Sequence, residues 1–103
     1  MSVLLEFSMF PTDKGESVSP YVSRIIKMIR ESGLNYRLTP MGTVVEAPEL
    51  PEILDLVKKA YNVLEPDCQR VYSSLKLDIR KGPLGRLEGK VSSVEEKIGA
   101  VKK

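Results

Sequence analysis

Along this chain the spacing of apolar residues switches between a period of two and a period near 3.6, in the order two, 3.6, two, two, 3.6, two, and few folds satisfy that order. Val3 to Phe10 is an apolar run rich in Val, Leu and Phe, and Pro11 followed by Thr12 to Gly15 closes it with turn chemistry. Ser19 precedes Pro20, whose missing N–H suits a first helical turn. Val22, Ile25, Ile26 and Ile29 then recur on one helical face, and Gly33 supplies a left-handed stop. Leu34, Tyr36 and Leu38 alternate with Asn35, Arg37 and Thr39 before Pro40-Met41-Gly42 turns the chain into Thr43 to Glu46, which reads as a hairpin. Ile53, Leu56, Val57, Ala60 and Leu64 make a second helical stripe, bracketed at its start by Pro48 and Pro51 and ended by Glu65-Pro66-Asp67. Val71, Ser73, Leu75, Leu77 and Ile79 alternate with Tyr72, Ser74, Lys76, Asp78 and Arg80, the clearest strand of all. Lys81 to Lys90, with Gly82, Pro83, Gly85 and Gly89, reads as a loop. Ser92 or Ser93, each with a Glu three positions on, then predicts a short helix over about 92–102 carrying Val94, Ile98 and Val101.

The implied order is β-α-β-β-α-β with an additional C-terminal helix. Two right-handed β-α-β crossovers in that order interleave into a four-stranded antiparallel sheet, an α+β, ferredoxin-like arrangement. At 103 residues the chain has the length of one domain, expected to span 1–103. The two long helices cover one sheet face, so strand parity decides what the other face shows. With Val3, Leu5, Phe7, Met9, Leu34, Tyr36, Leu38 and the apolar set of the last strand turned to the helices, that other face carries Leu4, Glu6, Ser8, Phe10, Asn35, Arg37, Thr39, Tyr72, Ser74, Lys76 and Asp78. Half polar and half apolar, it is expected to pack on another subunit or close over a ligand. A free edge along Val71 to Arg80 would be an association hazard, so this strand is expected to pair with another subunit or to be shielded by the C-terminal helix.

Composition removes several chemistries. The chain has no His, and Cys68 is its one cysteine, so a structural zinc site, a disulfide framework, a Ser-His-Asp triad and a Cys-His pair lack their parts. Most hydrolase templates go with them, and no metal ligand, cofactor or catalytic residue is assigned. Sixteen basic against 14 acidic side chains leave a charge of only +2, too slight to indicate a nucleic-acid partner. Met1 to Pro11 has no basic leader and holds Glu6 within its apolar run, and no apolar run approaches a membrane span. A cytoplasmic, membrane-free protein is expected. Side-chain amides occur only at Asn35, Asn62 and Gln69 beside abundant Lys, Arg and Glu, a thermophilic pattern.

Look-alike motifs fail on detail. The glycines from Gly82 to Gly89 do not keep Walker spacing, and Lys90 is followed by Val91, so the metal-binding hydroxyl is missing. An RNA-recognition domain shares the element order but needs rings on its third strand; Gly42 to Ala47 has none, and Glu46 would repel phosphate. An acylphosphatase-like enzyme would want an Arg in the loop after the first strand, and residues 11–19 contain none. The constellation that remains is Ser8, Thr43, Glu46, Ser74 and Lys76 on neighbouring strands. Half-buried hydroxyl and carboxylate groups could read the donor and acceptor edge of a small heterocycle; the same residues could equally be solvated or interface polar groups. Thr43 and Glu46 lie three apart, which in a regular strand sends them to opposite faces; only a bulge, or Thr43 at the strand entrance, would let both serve one site.

Ser8-x2-Pro11, Ser17-x-Ser19-x-Tyr21-Val22, Met41-Gly42-Thr43-x2-Glu46, Arg70-Val71-x2-Ser74-Leu75-Lys76-x-Asp78-x-Arg80 and Lys90-Val91-x2-Val94 together resemble the YkoF-like thiamine-binding protein family over nearly the whole length. The resemblance implies a ferredoxin-like fold, dimers built by sheet association that can pair into tetramers, and non-catalytic binding of thiamine or its hydroxymethylpyrimidine moiety. Tandem relatives hold two copies where this chain has one, so an equivalent arrangement would come from a homo-oligomer. Thiamine couples an aminopyrimidine to a cationic thiazolium. Ser8 and Thr43 could give and accept hydrogen bonds to the ring, Glu46 could take the amine, and Phe10 or Tyr36 could stack. The competing reading is a structural or regulatory assembly module whose second sheet face is only a subunit interface. An enzyme ranks third and would need a carboxylate pair, for which Glu6 and Glu46 are the candidates.

Overall fold

The structure, a computed structural model, describes residues 1–103. Its elements follow in the order β1 (Ser2–Pro11), α1 (Ser19–Ser32), β2 (Asn35–Thr39), β3 (Gly42–Ala47), α2 (Leu50–Leu64), β4 (Val71–Arg80) and α3 (Arg86–Ile98). The strands form one sheet in the order β2-β3-β1-β4 with every neighbouring pair antiparallel, the ferredoxin-like topology expected from the apolar periods. No helix is long and apolar enough to cross a membrane.

Strand parity is as the alternation dictates. Val3, Leu5, Phe7 and Met9 of β1 meet Val45 and Ala47 of β3, Ile25 and Ile29 of α1, and Ile53, Leu56, Ala60 and Leu64 of α2 in the buried core. Gly33 ends α1 at φ 79°, the left-handed conformation in which a Cβ is costly. Cys68 also lies in the core, where burial pushes its thiol pKa up and keeps it a poor nucleophile.

Two features depart from the sequence-based expectation. The last helix starts at Arg86, not at Ser92 or Ser93, because a carboxylate distant in sequence supplies its N-terminal acceptor, as described below. It lies over the β2–β3 half of the sheet face opposite α1 and α2, reaching Asn35 and Arg37 through Glu88. The apolar row of β4, expected on the helix side, is on that side but remains uncovered. Leu75, Leu77 and Ile79 retain 43%, 43% and 49% of their exposure, and β4 contributes no residue to the buried core. Beyond β4 no strand follows, so its outer edge is free.

Candidate functional site

β1 and β4 pair from Ser2↔Arg80 through Pro11↔Val71, whereas β1 and β3 pair only as far as Phe7↔Thr43. Past Phe7, therefore, one edge of β1 has no partner strand. A cavity of about 290 Å³ opens at this frayed edge, walled by residues 7–10 of β1, by Val22, Ile25 and Ile26 of α1, and by residues 38–43 of the hairpin. Its volume is near the lower end of the range of small-molecule pockets, roughly 300 Å³ upward. The walls are mainly apolar, with Ser8 and Thr43 among the polar exceptions. The hydroxyls of Ser2, Ser23, Ser32 and Thr39 all have partners in the chain, whereas those of Ser8 and Thr43 have none. Met41, 88% exposed, and Leu38 stand at the rim.

Gly42 sits where β3 begins. A Cβ there would lie 3.0 Å from the Phe7 carbonyl oxygen, so the two backbones approach too closely for a side chain. Because the obstacle is backbone, Gly42→Ala is expected to part the strands at the cavity floor and lower stability by about 1–3 kcal/mol. Thermal unfolding of the variant checks this.

The five residues singled out by sequence do not form one site. Ser8 and Thr43 share the cavity. Ser8, Ser74 and Lys76 share an adjoining hollow of about 220 Å³ on the sheet face opposite α1 and α2, with Met41 and Glu6. Thr43 and Glu46 occupy opposite faces: Thr43 pairs with Phe7 on the core side, Glu46 with Leu4 on the other, and β3 runs regularly between them without a bulge. Phe10 lines the cavity and leans on Tyr72 across β1–β4, ring centroids 5.8 Å apart, while Tyr36 packs on the core. The carboxylate pair considered for an enzyme is divided, since Glu6 faces Lys76 at 3.8 Å and Glu46 is engaged elsewhere.

Glu46 is almost fully buried, at 4% exposure. Its carboxylate accepts the Ser2 hydroxyl and the backbone N–H groups of Gly85 (3.1 Å) and Arg86 (3.1 Å), the open donors at the start of α3. Arg86 locks the assembly. Its guanidinium donates to the Ser2 hydroxyl and carbonyl and to the Asp78 carbonyl and carboxylate at 2.8–3.0 Å. Burial pushes the Glu46 carboxyl up, but the donations from Ser2 and from the N–H groups of Arg86 and Gly85 outweigh it and hold the group below the ordinary glutamate range.

The walls Val22, Ile26, Leu38 and Met41 escaped the sequence reading. The first two belong to the same helical stripe as the core, and exposed Leu38 and Met41 look like ordinary hairpin residues until the frayed edge of β1 is seen beside them.

A family model described as thiamine-binding protein matches residues 5–95. A UPF0045 protein of Methanocaldococcus jannaschii is 39% identical over 94 residues, covering 91% of this chain and 93% of its own. Its crystal structure superposes with a TM-score of 0.79 at 41% identity, covering 92% of this chain and 97% of that one. A UPF0045 protein of Mycobacterium bovis is 35% identical over 95 residues, 92% of this chain and 93% of its own. A Thermotoga maritima protein whose name proposes a role in thiamine biosynthesis or salvage has a TM-score of 0.78 at 29% identity, covering 91% of this chain and 99% of that one. Fold, motifs and these matches agree, and the chain belongs to the YkoF-like thiamine-binding protein family.

Proposed function

We propose that this protein is a non-catalytic, cytoplasmic binding protein for thiamine or its hydroxymethylpyrimidine moiety, and that the pyrimidine ring occupies the cavity between β1, α1 and the β2–β3 turn. The observation that carries this reading is the frayed edge of β1, where a strand edge without a partner borders a largely apolar, ring-sized cavity holding two hydroxyls that the chain itself does not use. An aminopyrimidine offers an amine donor and ring-nitrogen acceptors, which a Ser and a Thr hydroxyl complement from either side. Ser74 and Lys76, in the adjoining hollow behind Ser8, border the side of the ring away from its hydroxymethyl substituent. Glu46 has no part in ring recognition here; its carboxylate is taken by α3. Isothermal titration with thiamine and hydroxymethylpyrimidine tests the proposal, and no heat at millimolar ligand from the folded protein would overturn it. Thr43→Val keeps the shape and removes the hydroxyl, so binding is expected to weaken about tenfold with the melting temperature little changed.

A homo-oligomer is supported by a separate observation, at the β4 edge rather than on the second sheet face, and is compatible with ligand binding. The free edge of β4 and its uncovered row of Leu75, Leu77 and Ile79 suit antiparallel pairing with a second copy. Strand parity admits only registers that pair odd with odd positions. The one placing Leu77 opposite Leu77 also sets Leu75 opposite Ile79 and Lys76 opposite Asp78, in both directions. Sliding the strands to place Lys76 opposite Lys76, or Asp78 opposite Asp78, would set like charges together. A homodimer in the first register is the proposed unit, and two such dimers would make a tetramer.

A further inference from the structure

A second hollow, about 600 Å³, runs along α1 and joins the pyrimidine cavity through three shared walls, Val22, Ile26 and Leu38. Its lining differs in kind. Arg24, Lys27 and Arg30 contribute to it together with Ser19 and Ser23, and no acidic side chain lines this groove or the cavity it joins. Ser23, Lys27 and Arg30 recur at four- and three-residue intervals, so one face of the helix presents them as a row leading away from the cavity. Arg24 is already held in a two-pronged pair with Asp67 at 3.0 Å. Lys27 and Arg30 have no carboxylate partner, unlike Arg24, Arg37, Lys76 and Arg86, so two cations stand free beside the mouth of an uncharged cavity.

We infer that the site is built for a phosphate ester of the aminopyrimidine alcohol, with the ring in the cavity and the phosphate on Lys27 and Arg30. This rests on the proposed placement of the ring and adds the class of ligand. A phosphate monoester carries close to two negative charges at neutral pH and offers several strong acceptor oxygens, which match an ammonium and a guanidinium side by side. Because both cations are exposed, water screens the attraction and the gain is modest, about tenfold in affinity.

The test is a titration of the full-length protein with hydroxymethylpyrimidine and with its phosphate monoester, each at roughly 50 mM and 300 mM salt. The ester is expected to bind about tenfold tighter at low salt, with the ratio shrinking as salt rises. In the double variant Lys27→Ala/Arg30→Ala the ratio should fall to near one. Lys58→Ala/Lys102→Ala, which removes the same charge from exposed sites outside the groove, should keep it. Equal affinity for alcohol and ester in the native protein, or a ratio that survives loss of Lys27 and Arg30, overturns the phosphate assignment and leaves the ring site standing. Absence of binding by both compounds overturns the ring site and this inference with it.

Discussion

Leu77→Asp is expected to raise the dimer dissociation constant at least about a hundredfold, so that light scattering records a monomer at concentrations where the native protein is paired. In the proposed register Leu77 meets its own copy at the two-fold axis, and one substitution therefore acts twice. Each leucine withdrawn from water contributes about 1.5–3 kcal/mol, and two buried, unpaired carboxylates would add repulsion. The monomer itself should lose little, because Leu77 is 43% exposed and outside the core. Charge exchange checks the register independently. Lys76→Glu alone should weaken pairing, and Lys76→Glu with Asp78→Lys should restore much of it. Native protein that stays monomeric at high concentration would remove the dimer from the proposal without touching the ligand site. Asp78 also holds Arg86 at 2.8 Å, so the exchange must be read alongside a check that α3 remains in place.

Glu46→Ala is expected to lower stability by about 2–4 kcal/mol, roughly 10–20 °C in melting temperature for a domain of this size. The deletion leaves the Ser2 hydroxyl without its acceptor and exposes the first N–H groups of α3 with none, while Arg86 keeps its ion pair with Asp78. Hydrogen exchange should show the loss concentrated in α3, whose residues include none that is buried and which depends on these polar fastenings. Glu46→Gln keeps an acceptor and should cost about half as much. The pH dependence has a definite sign. Since the folded carboxyl lies below its unfolded value, its contribution is complete above the ordinary glutamate range near pH 4 and disappears as pH falls through the lower folded value. Protection of α3 should therefore fade in acid before that of the β1–β3 core. Uniform loss across the molecule would show that α3 does not open separately.

What the chain revealed on its own follows from local periodicity. A strand repeats every two residues and a helix every 3.6, so Val22, Ile25, Ile26 and Ile29 on one element, and Leu75, Leu77 and Ile79 on another, announce their elements without reference to the rest of the chain. The same parity separates Thr43 from Glu46 in advance, and the regular pairing of β3 with β1 has that consequence. The candidate site was only partly legible. Ser8 and Thr43 share a cavity because β3 stops at Gly42 while β1 continues to Pro11, a difference in strand length that becomes a cavity only once α1 closes its side.

The start of α3 shows the limit most clearly. Ser92 and Ser93 carry good local capping signals, yet the helix begins at Arg86 because Glu46, 39 residues before Gly85, supplies the acceptor. Element order, strand faces and the buried halves of both long helices were set by sequence, since they depend on the spacing of neighbours along one element. Which carboxylate caps a helix, which apolar row stays uncovered and where two hydroxyls meet were decided by tertiary structure, because each depends on groups that approach only after the sheet has formed.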